Sequence, residues 1–553
     1  MIAIRHQCYH LRKTMDHRSF PTFLQIYLLI WVCVEVHSAH ILMSGFVGKG
    51  SHFLCLVPIG KSLVRQGHNV SMLISDEYKD RANDPELRKF FNFEIYKNTD
   101  PQYSTREYFQ LVEELGYSEK GDMVSFFKSL SSFKKILIKT CEFVLEDKEM
   151  MDRFATLDAI VSDIGWPCSG LIKLYLKKFY NNTGVRLVLD TPTTPNIAML
   201  DASGSHFNAA YQPAIMSGFT SNMTFIERTI NALSGYSMRL FIMLAGNAFF
   251  PLADKYGLRD QIPALEYSQA AIADLSLGSF DFAIEFPFPI SPSLIPVGGL
   301  TAEPPNDLPQ DLEDFIQSSG DDGVIVFTLG TYFASFATSR PHLLKMFIDA
   351  LAKVPQKVIV QLKVMPQYDL PSNIKALPWL PQNDLLGHPK TRLFIYHGGN
   401  NGFYEAVYHG VPTIVLPFFG DQLDTASRIT YHGMGLKLDK MILSVDYIYN
   451  NVIEVLGDNR YSVAAKRLSA IFRDRPMTPA DRAAFWIQHV IKHGGDYLRT
   501  PADDLSFIQY NMIDVYAFLA GVVVTILFVF YHITRCFVAC CIGKKGNTKE
   551  KRR

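Results

Sequence analysis

Residues 379–422 read WLPQNDLLGHPKTRLFIYHGGNNGFYEAVYHGVPTIVLPFFGDQ, and this stretch decides the fold. Residues 392–396 form an apolar run of strand length, which ends at a His-Gly-Gly sequence. Residues 400–409 have apolar side chains at helical spacing, and Gly410 follows where a helix would close. Residues 411–419 form a second apolar run of strand length. Strand, turn, helix and strand in this order predict a parallel α/β unit.

The turn in this unit has the properties of a phosphate site. The two glycines after His397 let the backbone approach a ligand closely, and the free N–H groups at the helix start favour an anion. Asn401 and Glu405 lie four residues apart, so they share one face of the helix. Asp421 and Gln422 follow the second strand, at the carboxyl edge of the sheet, where open α/β folds bind ligands.

The spacing of these residues resembles that of the UDP-glycosyltransferase family, in its membrane-anchored, UDP-glucuronosyltransferase-like animal type. The resemblance implies a UDP-sugar as co-substrate. It implies that Trp379 stacks on uracil and that Gln382 and Glu405 hold uridine, the glutamate through the ribose hydroxyls. It also implies that His397 and Asn401 face the diphosphate and that Asp421 and Gln422 bind the sugar hydroxyls. Further candidates for binding the donor are Gly399, Gly402 and Thr331, the last of which follows Gly330.

A second α/β pattern opens the amino-terminal half. Residues 40–43 have the pattern of a buried strand, and a glycine-rich loop, a helical stretch at residues 53–66 and a strand at residues 69–75 follow. This βαβ order predicts a parallel sheet covered by helices. Residues 157–162 are predicted to form a further strand, which ends at Asp163.

His52 and Asp163 are the candidate catalytic residues. A sugar acceptor must lose its hydroxyl proton, and a histidine whose tautomer is held by a carboxylate suits that task. Both residues follow predicted strands at their carboxyl ends, so both can face one cleft. The sequence Gly-Ser-His-Phe around His52 resembles the family's Gly-Ser-His-Trp. Each residue also has a structural interpretation: His52 as a solvated residue at a helix start, and Asp163 as an N-cap.

The predicted fold class is α/β with GT-B architecture, in which two Rossmann-like domains face a cleft. Prolines cluster at residues 286–310 and predict an interdomain linker, after which a second α/β series begins at residues 324–329. The family resemblance continues at residues 162–171, 297–300 and 475–499. The predicted boundaries are a signal peptide at 1–39, an amino-terminal acceptor-binding domain at 40–290, a linker at 291–310, a carboxyl-terminal UDP-sugar-binding domain with a return helix at 311–505, a transmembrane helix at 515–533 and a basic cytosolic tail at 534–553.

Both ends of the chain predict membrane targeting. Basic residues precede the short apolar run at residues 23–34, which indicates a secretory signal peptide cleaved near Ala39, with an uncleaved anchor as the alternative. Residues 515–533 are apolar and long enough to cross a bilayer, and basic residues follow them. The expected protein is therefore single-pass, type I, in the endoplasmic reticulum membrane, with luminal catalytic domains. The terminal KEKRR resembles a dilysine retrieval signal and is equally compatible with a stop-transfer cluster.

Composition limits the classes of partner and cofactor that the sequence predicts. The formal net charge is zero and the pI is about 7.2, which does not indicate a nucleic-acid partner. Of eight cysteines, only Cys55, Cys141 and Cys168 are expected in the lumen, so neither a disulfide framework nor a zinc site is predicted. The chain contains no Asp-x-Asp pair of the kind that holds a metal on a nucleotide diphosphate. No metal and no cofactor beyond the UDP-sugar are expected.

Several alternatives stay open. A dinucleotide oxidoreductase would use the glycine-rich loop, but Gly45, Gly48 and Gly50 stand in the order G-x-x-G-x-G rather than G-x-G-x-x-G. A non-catalytic luminal binding protein could keep the same scaffold. Among transferases, a UDP-glucosyltransferase or galactosyltransferase acting on a lipid or sterol is the alternative to transfer onto a small lipophilic alcohol or phenol. Two departures from the family pattern, Phe53 and Tyr396, leave the exact pocket shape open, and a homo-oligomer is compatible with the sequence.

Overall fold

The computed structural model describes residues 38–45, 50–106, 109–110, 113, 123–205, 207–262, 267–330, 336–501 and 505–546. The predicted signal peptide up to residue 37 lies outside these ranges, as does the end of the basic tail. The candidate donor residue Thr331 also lies outside the described residues.

The sheet of the amino-terminal half has seven parallel strands in the order β3-β2-β1-β4-β5-β6-β7. Because β1 pairs with both β2 and β4, the strand order reverses between β1 and β4. Ligands of open parallel sheets bind at this switch point, beyond the carboxyl ends of the strands. The bounds of the strands are β1 His40–Ser44, β2 Asn69–Ser75, β3 Asn92–Tyr96, β4 Ala159–Asp163, β5 Arg186–Thr191, β6 Leu275–Gly278 and β7 Leu294–Pro296.

The sheet of the carboxyl-terminal half has six parallel strands in the order β10-β9-β8-β11-β12-β13. It repeats the topology of the first sheet, with its own switch point between β8 and β11. The bounds of the strands are β8 Val324–Thr328, β9 Lys357–Gln361, β10 Ile374–Leu377, β11 Thr391–Tyr396, β12 Thr413–Val415 and β13 Gly435–Lys437.

Helices cover both sheets, as parallel strands buried on two faces require. In the amino-terminal half they are α1 Gly50–Arg65, α2 Pro85–Arg88, α3 Met123–Glu146, α4 Lys148–Phe154, α5 Cys168–Phe179, α6 Ile197–Ala202, α7 Phe225–Asn247 and α8 Phe250–Lys255. The helices that follow are α9 Gln310–Gln317, α10 Phe336–Ser339, α11 Pro341–Leu351, α12 Gln382–Gly387, α13 Asn400–His409, α14 Gln422–Tyr431, α15 Val445–Gly457, α16 Asn459–Arg473, α17 Pro479–His493, α18 Phe507–Tyr510 and α19 Ile513–Gly546.

The α/β unit predicted at residues 392–419 is present, with one shorter strand. The helix covers residues 400–409 as predicted, and Gly410 ends it in the left-handed region with a φ of 67°. The second strand, predicted at residues 411–419, is only the three residues of β12. Pro412 and Pro417 flank it, and because proline has no N–H, neither residue can donate to the ladder.

The predicted linker at residues 291–310 begins too early. β7 lies inside that range and pairs with β6 as the edge strand of the first sheet. The proline-rich pattern concealed this strand, because an edge strand tolerates a proline such as Pro296 at its end. The amino-terminal sheet therefore extends past the predicted boundary at residue 290.

The return helix α17 belongs to the core of the amino-terminal half, although chain order had placed it in the second domain at residues 311–505. Its residues Ala483, Ala484 and Ile487 are fully buried and pack in the same core as Leu63 of α1. The Ser62 hydroxyl of α1 also donates to a carboxylate oxygen at the start of α17, at 2.6 Å. The helix thereby joins the end of the chain to its beginning.

A disulfide joins Cys141 of α3 to Cys168 of α5. The sequence did not predict it, because Cys55, Cys141 and Cys168 show no paired spacing. Next to the bridge, the indole N–H of Trp166 donates to the Thr140 hydroxyl at 3.1 Å. The bridge fixes helix α3 against the segment that follows β4, close to the predicted site.

Helix α19 contains the predicted transmembrane segment at residues 515–533. Its stretch Ile513–Cys541 has a mean hydropathy of 2.4 and is not buried against the rest of the protein. Among the described residues it is the one helix long and apolar enough to cross a membrane.

Candidate active site

A cavity of about 1150 Å³ lies between the carboxyl edges of the two sheets. His52 and Leu54 of α1 line it from the amino-terminal half, and Trp379, His397 and Glu405 line it from the other half. The two switch points therefore meet in one cleft, which is the position that parallel α/β folds use for ligands. Of the predicted site residues that the structure describes, only Asp163 does not itself line this cavity.

His52 and Asp163 form a hydrogen-bonded pair, through the histidine Nδ1 and a carboxylate oxygen. Asp163 is the last residue of β4 and is buried, and its second oxygen accepts the N–H of Gly165 at 2.7 Å. Burial opposes charge on the imidazole, but the adjacent Asp163 carboxylate outweighs it and raises the pKa of His52. Since a carboxylate can only accept, Nδ1 carries the hydrogen and Nε2 has the basic lone pair. This arrangement is that of a general base with its orienting acid.

The His397-Gly398-Gly399 turn places an imidazole between two glycines. A Cβ on Gly330, which follows β8 with a φ of 74°, would stand 2.3 Å from the His397 ring. A Cβ on Gly399 would stand 2.6 Å from the same ring. Both turns therefore require glycine. Burial lowers the pKa of His397 to about 4, so the ring is neutral at pH 7 and faces the cleft as a dipole.

Glu405 is held by hydrogen bonds from two side chains. The Gln382 amide donates to one oxygen at 2.6 Å, and the Thr301 hydroxyl donates to the other at 2.7 Å. Burial raises the pKa of Glu405 to about 7, and the two hydrogen bonds oppose that rise. Sequence reasoning identified Gln382 and Glu405 but missed Thr301, which directly follows the Val-Gly-Gly-Leu motif at residues 297–300.

Trp379, Asn401 and Gly402 complete the donor side. Trp379 follows β10 and is 59% exposed on the cleft wall, so its ring is available for stacking. Gly402 packs under the Gln382 amide, which a Cβ would approach to 3.2 Å. Asn401 also lines the cleft, and its side-chain oxygen accepts the thiol of Cys55 from the other half at 3.1 Å.

Asp421 and Gln422 stand at the start of α14. The Gln422 side-chain oxygen accepts the backbone N–H of Phe418 at 2.8 Å, which holds the preceding loop. Burial raises the pKa of Asp421, while His52 across the cleft and the nearby backbone amide of Thr194 lower it. Asp421 therefore lies within electrostatic reach of the candidate base.

The other wall of the cleft is apolar. The aliphatic and aromatic side chains that line it from the amino-terminal half include Leu54, Val57, Phe109, Phe133, Ile215 and Met216. Helix α3 contributes both to this wall and to the core. Phe133 reaches the cleft, while Leu137 and Val144 are buried in the core.

One buried acid near the site was missed. Asp190 stands near the end of β5, beside Asp163 in the register of the two strands. The signal was present in the sequence, since the apolar run at residues 186–191 carries an aspartate near its end, as the run at residues 159–163 does. The described residues include no group of three His, Cys, Asp or Glu side chains that could hold a metal ion.

Two Rossmann-like sheets that face a ligand-sized cleft define the GT-B class of glycosyltransferases. The chain belongs to the family described as UDP-glucuronosyl and UDP-glucosyl transferase, which it matches over residues 42–548. It is an enzyme of that family, a UDP-glycosyltransferase.

Relatives with similar sequences match nearly the whole chain. Human UDP-glucuronosyltransferase 2B7 is 32% identical over 524 residues, which cover 93% of this chain and 93% of the relative. Human UDP-glucuronosyltransferase 1A1 is 31% identical over 540 residues, with 96% and 97% covered.

Solved structures share the fold at low sequence identity. The calicheamicin glycosyltransferase CalG4 has a TM-score of 0.54 and 18% identity, covering 82% of this chain and 99% of its own. Spinosyn rhamnosyltransferase SpnG, complexed with thymidine diphosphate, has a TM-score of 0.52 and 16% identity, covering 82% and 99%. These matches establish the GT-B fold of the chain.

Proposed function

We propose that this enzyme transfers glucuronic acid or a hexose from a UDP-sugar to the hydroxyl of a small lipophilic acceptor, with inversion at the anomeric carbon. One observation carries the proposal: His52 and the candidate donor residues between Trp379 and Gln422 line the same cavity from opposite sheets. Asp163 lies behind His52 and is hydrogen-bonded to it. A base from one half and a nucleotide site from the other meet where a transfer between two bound molecules requires them.

The steps follow from this geometry. Nε2 of His52 takes the acceptor proton while Asp163 supports the resulting imidazolium. The acceptor oxygen attacks the anomeric carbon, and the bond from that carbon to the diphosphate breaks. Charge on the departing UDP is met by the N–H groups at the start of α13 and by the His397 ring. A single displacement needs no second carboxylate as nucleophile and inverts the carbon.

The lining of the cleft supports the choice of partners. We assign stacking on uracil to Trp379, which is exposed on the cleft wall, and the ribose hydroxyls to Glu405 with Gln382. The apolar wall that includes Leu54 and Phe133 fits an aliphatic or aromatic acceptor. The names of the relatives favour glucuronic acid, and the family description also includes glucose. We propose that no metal takes part, because the helix amino terminus supplies the diphosphate with donors.

We also propose that the cleft faces the lumen of the endoplasmic reticulum, with α19 as the membrane anchor. Basic residues follow the apolar stretch of α19, as they do on the cytosolic side of membrane helices. The Cys141–Cys168 bridge supports a luminal position, since disulfides persist in oxidising compartments.

A donor panel tests the proposal. Full-length protein in detergent is assayed with UDP-glucuronate, UDP-glucose and UDP-galactose, each with a lipophilic phenol and with a sterol. Turnover of one donor with the phenol and an inverted product is the expected result. Turnover with the sterol alone supports the lipid-acting alternative. Stabilisation by UDP without turnover of any donor would support the non-catalytic binding protein instead.

A further inference from the structure

A second carboxyl lies directly beside the acid of the catalytic pair. Asp163 on β4 and Asp190 on β5 are register partners in two neighbouring parallel strands. Side chains of register partners project from the same face of a sheet, and neighbouring strands lie about 5 Å apart. The two carboxyl groups are therefore adjacent, although only one of them has a place in the chemistry described so far.

Asp190 has surroundings that do not support a negative charge. It is 0% exposed, and among the described residues no side-chain donor forms a hydrogen bond with either of its oxygens. The backbone N–H of Thr191 favours the charged form, but it counts for less than burial. The titratable groups that face it are Asp163 from β4 and His52 and Cys55 from α1. From β6, its register partner is the apolar Leu277.

A buried carboxylate with so little to support its charge is costly, so this group keeps its proton. Burial raises the pKa of Asp190 to about 8; repulsion from Asp163 adds to the rise, while His52 and the backbone N–H of Thr191 oppose it. A protonated carboxyl has one O–H to donate, and the carboxylate of Asp163 is the neighbouring acceptor.

We propose that Asp190 is a positioning residue of the catalytic pair, which donates the hydrogen of its neutral carboxyl to Asp163 and so sets the basicity of His52. The inference rests on the proposed function, because it takes His52 as the base of glycosyl transfer. During the reaction the acceptor proton moves to Nε2 of His52, while Asp163 stays ionised and Asp190 keeps its proton. The O–H of Asp190 reduces the negative charge on the Asp163 oxygens. Asp163 then attracts the imidazolium form of His52 less strongly, so the imidazole stays unprotonated between turnovers.

The test is the pH dependence of kcat/KM in two variants of the full-length enzyme. Asp190→Leu removes the donor, so Asp163 pairs more strongly with the imidazolium. The acid limb of the profile is expected to move to higher pH by roughly half a unit to one unit. Asp190→Asn retains an N–H donor, and its acid limb is expected at the wild-type position. A purely structural role predicts the same limb in both variants, and that result overturns the proposal. An acid limb moved to lower pH in the Asn variant also overturns it, because it would mean that Asp190 is ionised in the wild type.

A second measurement needs no transferase activity. A carboxyl whose pKa is about 8 when folded and about 4 when unfolded stabilises the fold fully below pH 4, and this stability is lost as the pH rises through 8. The Asn variant cannot titrate, so its Tm minus that of the wild type is expected to grow from pH 4 to pH 8. A constant difference overturns the proposal. If the wild type transferred no sugar at all, the proposed function would fail while this comparison still reported on Asp190.

Discussion

The two walls of the cleft are built differently. On the donor side, Glu405 is held by Gln382 and Thr301 through side-chain hydrogen bonds of ordinary length. On the acceptor side, two buried carboxyls, Asp163 and Asp190, stand behind one imidazole. The first arrangement is pre-formed for recognition, since its polar groups are satisfied before a ligand arrives. The second places one ionised and one neutral carboxyl beside a group that must change its protonation state, which is how enzymes tune a base.

Removal of the imidazole tests this contrast most severely. His52→Ala is expected to lower kcat/KM for a phenol by about 100-fold to 10,000-fold, the range for loss of a general base. UDP binding, measured by calorimetry, should be retained because the donor groups lie on the other sheet. His493→Ala provides the matched control, since that histidine is exposed on α17. Turnover near the wild-type rate in the His52 variant would remove this residue from the mechanism.

The buried ion pair between the two halves provides the next test. The Arg428 guanidinium of α14 binds both oxygens of Glu285 from the other half, at 2.9 and 2.8 Å, and both side chains are buried. Arg428→Met leaves a buried carboxylate without its partner and is expected to destabilise the protein by about 3–5 kcal/mol. Chemical denaturation followed by fluorescence measures the change.

The double variant Glu285→Gln/Arg428→Met distinguishes the effect of the charges from the effect of side-chain packing. Neutralising both partners is expected to recover at least half of the lost stability, because no charge then stays buried alone. Lys345→Met, in an exposed pair with Asp349, is the control and should change stability little. Equal losses in the single and double variants would show that packing, rather than charge, holds the two halves together.

The donor side could be predicted from the sequence because its residues are close in the chain. Strand β11, its glycine turn and helix α13 are local, and the apolar periodicity fixes each of them. The acceptor side depends on residues far apart in the chain. His52 and Asp163, 111 positions apart, could be named together only because each follows a predicted strand and the family resemblance covers both. Asp190 was missed because its significance comes from strand register, and β7 because its pattern matched a linker. The disulfide was missed for a similar reason, since its two cysteines lie on different helices.

A pH dependence of donor binding would sharpen the distinction between the two walls. Burial raises the pKa of Glu405 to about 7, and the ionised form is the better acceptor for ribose hydroxyls. The donor KM of the wild type is therefore expected to fall as the pH rises through 7. Glu405→Gln should raise the donor KM at pH 8 by about tenfold or more, as for loss of a hydrogen bond to a charged group.

The same variant should also remove the pH dependence of the donor KM between pH 6.5 and 8. Glu86→Gln, an exposed acid in α2 of the acceptor half, is the control for loss of one negative charge. An unchanged KM in the Glu405 variant would count against ribose contact. A pH dependence that persisted in it would assign that dependence to a group other than Glu405.

The smallest expected effect concerns the exposed indole on the donor wall. If Trp379 stacks on uracil, Trp379→Ala should lose about 1 kcal/mol of UDP affinity, close to fivefold, as for stacking of a base on an aromatic side chain. Trp379→Phe keeps a π-face and should recover most of that loss, while kcat with the donor saturating should change little in either variant. Because the residue is 59% exposed, its removal leaves no buried cavity, and stability should be preserved. A large fall in kcat at unchanged UDP affinity would assign Trp379 to the acceptor side. It would contradict the assignment of donor recognition to one side of the cleft and proton transfer to the other.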